Sequence, residues 1–111
     1  MELHIATEFS DVPGPRSRQE GKWSGEEFRD KFLKPKFREA EKTGDKLVVD
    51  LDGGCGYATS FLEEAFGGLA RIYSPERVLK VLEFKSTEEP YLIEDVRDYI
   101  QEAITGARRP F

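Results

Sequence analysis

The chain has 111 residues, 38% of them hydrophobic and 35% charged, which is enough for one buried core and too few for two. Its 17 basic and 22 acidic residues leave a net charge of -5, which repels phosphate backbones and sets nucleic acid aside as a partner. The single cysteine, Cys55, closes no intrachain disulfide, and together with the single histidine, His4, it does not make a zinc set.

The opening residues, MELHIATEF, are neither basic nor apolar enough for a signal peptide, and no apolar run approaches the ~20 residues of a membrane span. A cytoplasmic protein is expected. Leu3, Ile5 and Phe9 on one face predict a first strand. A long loop follows from Asp11 to Trp23, since Pro13, Gly14 and Pro15 forbid regular structure. Loops of this length are often functional, and Arg16 and Arg18, held on a backbone stiffened by proline, are candidates to grip a carboxylate or phosphate. Phe9 and Trp23 flank the loop as core edges, or as interface anchors if exposed. Ser24 and Glu27 form a capping box, and Phe28, Phe32, Leu33, Phe37 and Ala40 recur at helical spacing to about Lys42. Pro35 should kink or divide this helix, and Thr43-Gly44-Asp45 should end it.

A second strand, Lys46 to Leu51, runs into a turn containing Gly53, Gly54 and Gly56, whose freedom at positive φ allows a sharp reversal. Ser60 and Glu63 read as another capping box, opening a helix from about Phe61 to Ile72 with the stripe Phe61, Leu62, Ala65, Phe66 and Leu69. Gly67 and Gly68 inside it point to close approach of another backbone. Ser74-Pro75-Glu76 starts a short helical turn, and Val81 to Phe84 is a third strand. Pro90 opens a last helix with the stripe Leu92, Ile93, Val96, Tyr99, Ile100, Ala103 and Ile104. Alternating strands and helices predict an α/β domain over residues 1–105, with helices packed on a mixed sheet and a short basic tail over 106–111. The core is expected to contain Phe28, Phe32, Val49, Leu51, Leu62, Phe66, Val81, Val96 and Ile100.

Residues 47–69 also carry a resemblance. A strand ending in an acidic residue leads through a small-residue loop into Thr59, Ser60, Phe61, Glu64, Phe66 and Gly67. This resembles the STAS-like family of bacterial regulatory domains, a family of unknown function related to the anti-sigma-factor antagonists. Pro13-Gly14-Pro15-Arg16 and Ser24-Gly25-Glu26-Glu27-Phe28-Arg29 are similar to the family upstream. The resemblance implies a STAS-like fold and a protein partner, such as a histidine-kinase-type ATPase or an anti-sigma factor. It also implies a phosphoacceptor at the turn, with Thr59 nearest the acceptor position and Ser60 beside it, although Ala58 stands where the antagonists have an Asp.

Catalysis has little to work with. Neither Cys55 nor Ser60 has a general base other than His4, which is read as structural, and the Gly53–Gly56 segment lacks the lysine of a phosphate-binding loop. Asp50 and Asp52 are read as a solvated turn rather than a magnesium site. No enzyme activity, metal or cofactor is expected. The reading is a cytoplasmic signalling domain that binds a partner through Gly54, Gly56, Thr59, Ser60 and the Arg16–Arg18 loop, with phosphorylation as a switch. The alternatives are that both hydroxyls only cap the helix, or that the turn is an anion cradle in a small-molecule or nucleotide sensor.

Overall fold

The computed structural model describes residues 1–54 and 56–106. Cys55 and tail residues 107–111 lie outside the described residues, as does the Ile104 side chain assigned above to the last stripe. The elements in chain order are β1 (Glu2–His4), α1 (Ile5–Glu8), α2 (Gly25–Phe28), a π-helical turn (Arg29–Leu33), α3 (Lys34–Thr43), β2 (Leu47–Asp50), α4 (Thr59–Leu62), a second π-helical turn (Glu63–Gly67), α5 (Gly68–Ile72), α6 (Pro75–Val81), β3 (Leu82–Lys85) and α7 (Tyr91–Gly106).

The sheet is parallel throughout, in the order β1-β2-β3, rather than mixed. Each strand-to-strand connection contains helical segments, and a crossover of that length returns the chain in the same direction. In register, Leu3, Val49 and Phe84 form a row across the sheet, and Leu47 pairs with Leu82. Leu3, Leu47, Val49 and Leu82 are buried against the helices. The opposite face carries Glu2, His4, Val48, Asp50, Glu83 and Lys85, mostly polar residues.

The first strand is shorter than the sequence predicts. His4 N–H donates to the Glu8 carboxylate, 2.9 Å, and the N–H groups of Phe9 and Ser10 both reach Ile5 O at 2.9 Å, so residues 5–8 turn helical. Ile5 and Phe9 are therefore buried as an i, i+4 pair, a spacing that their alternation with Leu3 conceals.

Ser24 caps α2 by accepting from Glu27 N–H at 3.0 Å. Pro35 divides the long helical rod as expected, standing in the first turn of α3 directly after the π-helical turn. Its ring removes an N–H and crowds the preceding turn, and the wider π geometry accommodates both. Gly44, at φ 79°, ends α3 in the left-handed conformation.

Aromatic rings link the layers. Phe28 lies 5.3 Å from Phe9 and 6.2 Å from Phe66, and Phe66 meets Phe84 of β3 edge-on at 5.5 Å. The expected core residues are buried except Phe32, which is half-buried and packs on the core's edge. Gly67 and Gly68 admit different neighbours. A Cβ on Gly67 would come within 3.3 Å of the Tyr99 carbonyl of α7, whereas one on Gly68 would meet the Arg29 guanidinium at 2.7 Å. No helix among the described residues is long and apolar enough to cross a membrane.

Candidate functional site

The glycine-rich turn leaves the carboxyl end of β2, where open α/β sheets place their ligands. It is exposed to solvent and braced by hydrogen bonds. The Asp52 carboxylate accepts from Thr87 N–H at 2.8 Å, Thr87 O–H at 2.6 Å and Glu88 N–H at 3.0 Å, and Gly53 N–H donates to Glu88 Oε1 at 2.8 Å. These donors, Glu88 N–H first and the Thr87 hydroxyl next, hold the Asp52 carboxyl below the usual aspartate range. Gly53 at φ 92° and Gly56 at φ 126° supply the reversal. Gly54 lies against Tyr57, whose hydroxyl donates to Leu51 O at 2.9 Å. Burial, and after it the charge of Asp50, pushes the Tyr57 phenol up, so it stays a neutral donor.

Asp50 serves the sheet. Its Oδ2 lies 3.1 Å from His4 Nδ1 and 3.9 Å from Lys85 Nζ, and its Oδ1 accepts from Asp52 N–H at 2.9 Å. The Asp50–Asp52 pair is thus a clasp between the ends of β1, β2 and β3. His4 also meets Glu2 Oε1 through Nε2 at 2.9 Å; this hydrogen bond, joined by Asp50 and opposed by burial, raises the imidazole's pKa.

The capping box at Ser60 does not form. Ala58 stands at the N-cap with no side-chain bond, and its carbonyl accepts from Phe61 and Leu62 N–H at 3.1 and 3.2 Å. The helix therefore begins at Thr59, two residues before the expected start, and Ser60 falls inside its first turn. Thr59 is exposed and Ser60 half-exposed, and neither hydroxyl has a hydrogen-bond partner among the described residues.

Arg16 and Arg18, candidates to grip a carboxylate or phosphate, both engage carboxylates of the chain itself. Arg16 Nη1 bonds Glu63 and, at 3.2 Å, Glu64. Arg71 reaches Glu63 at 2.6 Å, and Arg29 joins Glu64 to Asp30. Arg18 faces Asp30 at 3.3 Å and Glu26 at 3.8 Å. Backbone bonds from Gly25 N–H to Pro15 O, from Glu26 N–H to Arg16 O and from Gly14 N–H to Trp23 O close the loop onto α2. Trp23, the one non-glycine residue at positive φ among the described residues (59°), rests edge-on against Phe9 at 5.4 Å and stays 42% exposed. The structure brings Arg16 to Glu63, one helical turn beyond Thr59, and so seats the loop beside the turn.

Local spacing hides this arginine–glutamate network, because Arg16 and Arg29 lie 47 and 35 residues from their carboxylates. It has a pH signature. Burial raises the Glu63 carboxyl, but Arg71 and Arg16 outweigh it and hold the group below the ordinary glutamate value. A carboxyl lowered in the folded state stabilises fully above its unfolded value, and that stabilisation is lost as pH falls through the folded value. Unfolding free energy should decline below about pH 4.5. Glu63→Gln should flatten part of that decline in denaturant melts at neutral and acid pH, and equal slopes for both proteins would count against the network.

The strand, braced turn and helix start of this site fall within residues 24–92, which match the family model described as a STAS-like domain of unknown function (DUF4325). The chain belongs to this STAS-like family. The matched span takes in the Ser24–Arg29 motif and the helix at Thr59, while Pro13–Arg16 lies outside it. Neither a curated protein nor a solved structure matches the chain. The STAS-like assignment accords with the single α/β unit described above.

Proposed function

We propose that this STAS-like domain is a non-enzymatic, cytoplasmic regulatory module that binds a protein partner through the Gly53–Ser60 turn and the start of α4. Phosphorylation of Thr59 acts as its switch. The carrying observation is the Thr59 hydroxyl itself, exposed at the first helical position with no partner among the described residues, on a backbone braced by Asp52 and Tyr57. A phosphate there would place about -1.5 to -2 charges at the positive end of a helical rod, which the fold tolerates and a docked partner would feel. The partner class suggested by the resemblance is a histidine-kinase-type ATPase or an anti-sigma factor. The anion-cradle reading draws less support, because the turn's Gly53 N–H is already taken by Glu88.

The test is purification of the chain with its bound partner from the source cell, mapping of phosphate, and calorimetric binding of that partner to variants. Thr59→Glu should weaken binding at least tenfold, about 1.4 kcal/mol, with little change in melting temperature. Ser60→Ala should change stability by less than about 0.5 kcal/mol, since Ser60 is not the cap. Equal binding by wild type and Thr59→Glu, with no phosphate at either hydroxyl, would leave the turn a purely structural element.

A further inference from the structure

A concavity lies between α3 and the α5–α6 junction. It is an open groove of about 750 Å³. Lys34, Arg38 and Lys42 line one wall, four residues apart on α3. None of the three has an ion-pair partner among the described residues, whereas Arg29, Arg71 and Arg77 are all paired. Ile72, 46% exposed, and Tyr73, half-buried beneath the Arg77 guanidinium at 5.1 Å, supply an apolar floor.

The geometry selects the kind of occupant. At 1.5 Å per residue, Lys34 to Lys42 spans about 12 Å, too far for three cations to converge on one phosphate. That spacing suits a helix bearing carboxylates at the same interval. This chain owns such a helix. On α7, Leu92, Val96 and Ile100 face the core, while Glu94 and Asp98, also four residues apart, are exposed and without ion-pair partners among the described residues. Tyr91, one turn earlier, is 60% exposed. Of the acids lining the groove, Glu41 is paired with Arg77, and Glu39 is opposite in sign to Arg97, which stands beside the acids of α7.

We propose that the α3 groove receives the exposed face of α7 from a second copy of this chain, with Lys34, Arg38 and Lys42 against Glu94 and Asp98, and Tyr91 against the Ile72–Tyr73 floor. The contact is between copies because α7 packs its other side on α5 and α6 of its own chain and cannot turn into its own groove. Two chains of net charge -5 repel at long range, so the association depends on this local complementarity and weakens as salt screens it.

Sedimentation of the full chain over a wide range of concentration, at about 50 and about 500 mM salt, tests it. Wild type should associate with rising concentration at low salt and dissociate at high salt. Lys34→Glu/Arg38→Glu and Glu94→Lys/Asp98→Lys should each lower self-association at least tenfold while keeping the wild-type circular dichroism. Mixing the two should restore association, because each reversed face then meets its complement. Tyr91→Ala should weaken association without altering charge. A wild type that stays monomeric at low salt, an association indifferent to either reversal, or a mixture that fails to associate would overturn the proposal.

Discussion

Phe66→Ala should cost about 3–5 kcal/mol of unfolding free energy, a large share of the 5–15 kcal/mol that holds a domain of this size together. Phe66 is fully buried and sits where the helical layers meet the sheet, with Phe28 at 6.2 Å on one side and Phe84 edge-on at 5.5 Å on the other. Alanine would remove the transfer free energy of the ring and leave a cavity. Backbone held by helices and a sheet cannot collapse into that space, and the aromatic contacts are lost as well. The melting temperature should fall by more than about 10 °C. Denaturant unfolding gives the direct reading, and a loss below about 1 kcal/mol would mean that the ring is not at the centre of the core.

Gly25→Ala should destabilise by about 1–3 kcal/mol, although helix propensity alone predicts a gain of roughly 1 kcal/mol. Gly25 opens α2 where it crosses α4, and an added Cβ would stand 2.5 Å from the Phe61 carbonyl oxygen and 3.1 Å from Glu64 Cβ. The first contact is with backbone, which cannot swing aside as a side-chain tip can. Relief requires α2 and α4 to part, and that strains the Gly25 N–H bond to Pro15 O with the Arg16 loop behind it. Thermal and denaturant melts decide the sign. A stabilised Gly25→Ala protein would show that the crossing has slack and that propensity governs.

The sequence by itself determined the features whose causes are local. Ser24 caps a helix because its oxygen and the Glu27 N–H belong to the same turn, Gly44 stops α3 because only a left-handed residue fits there, and Pro35 divides the rod through its own ring. The core residues were legible from their spacing, because burial follows the period of the element. The same local reasoning misread Ile5, which fits both a strand beside Leu3 and a helical turn beside Phe9, until the Glu8 carboxylate fixed the turn. It also placed a cap at Ser60, where the spacing to Glu63 is right but the chain enters the helix two residues earlier and the carboxylate turns to Arg16 and Arg71.

Tertiary structure alone decided what joins residues far apart in the chain: the Asp52 clasp on Thr87 and Glu88, the seating of the Arg16 loop on α4, and the facing of α3 toward an open groove. A charged side chain gives no sign in sequence of whether it stays in water or finds a partner. That choice depends on which carboxylate the fold brings within a few ångströms, and on how much water is displaced when the two meet.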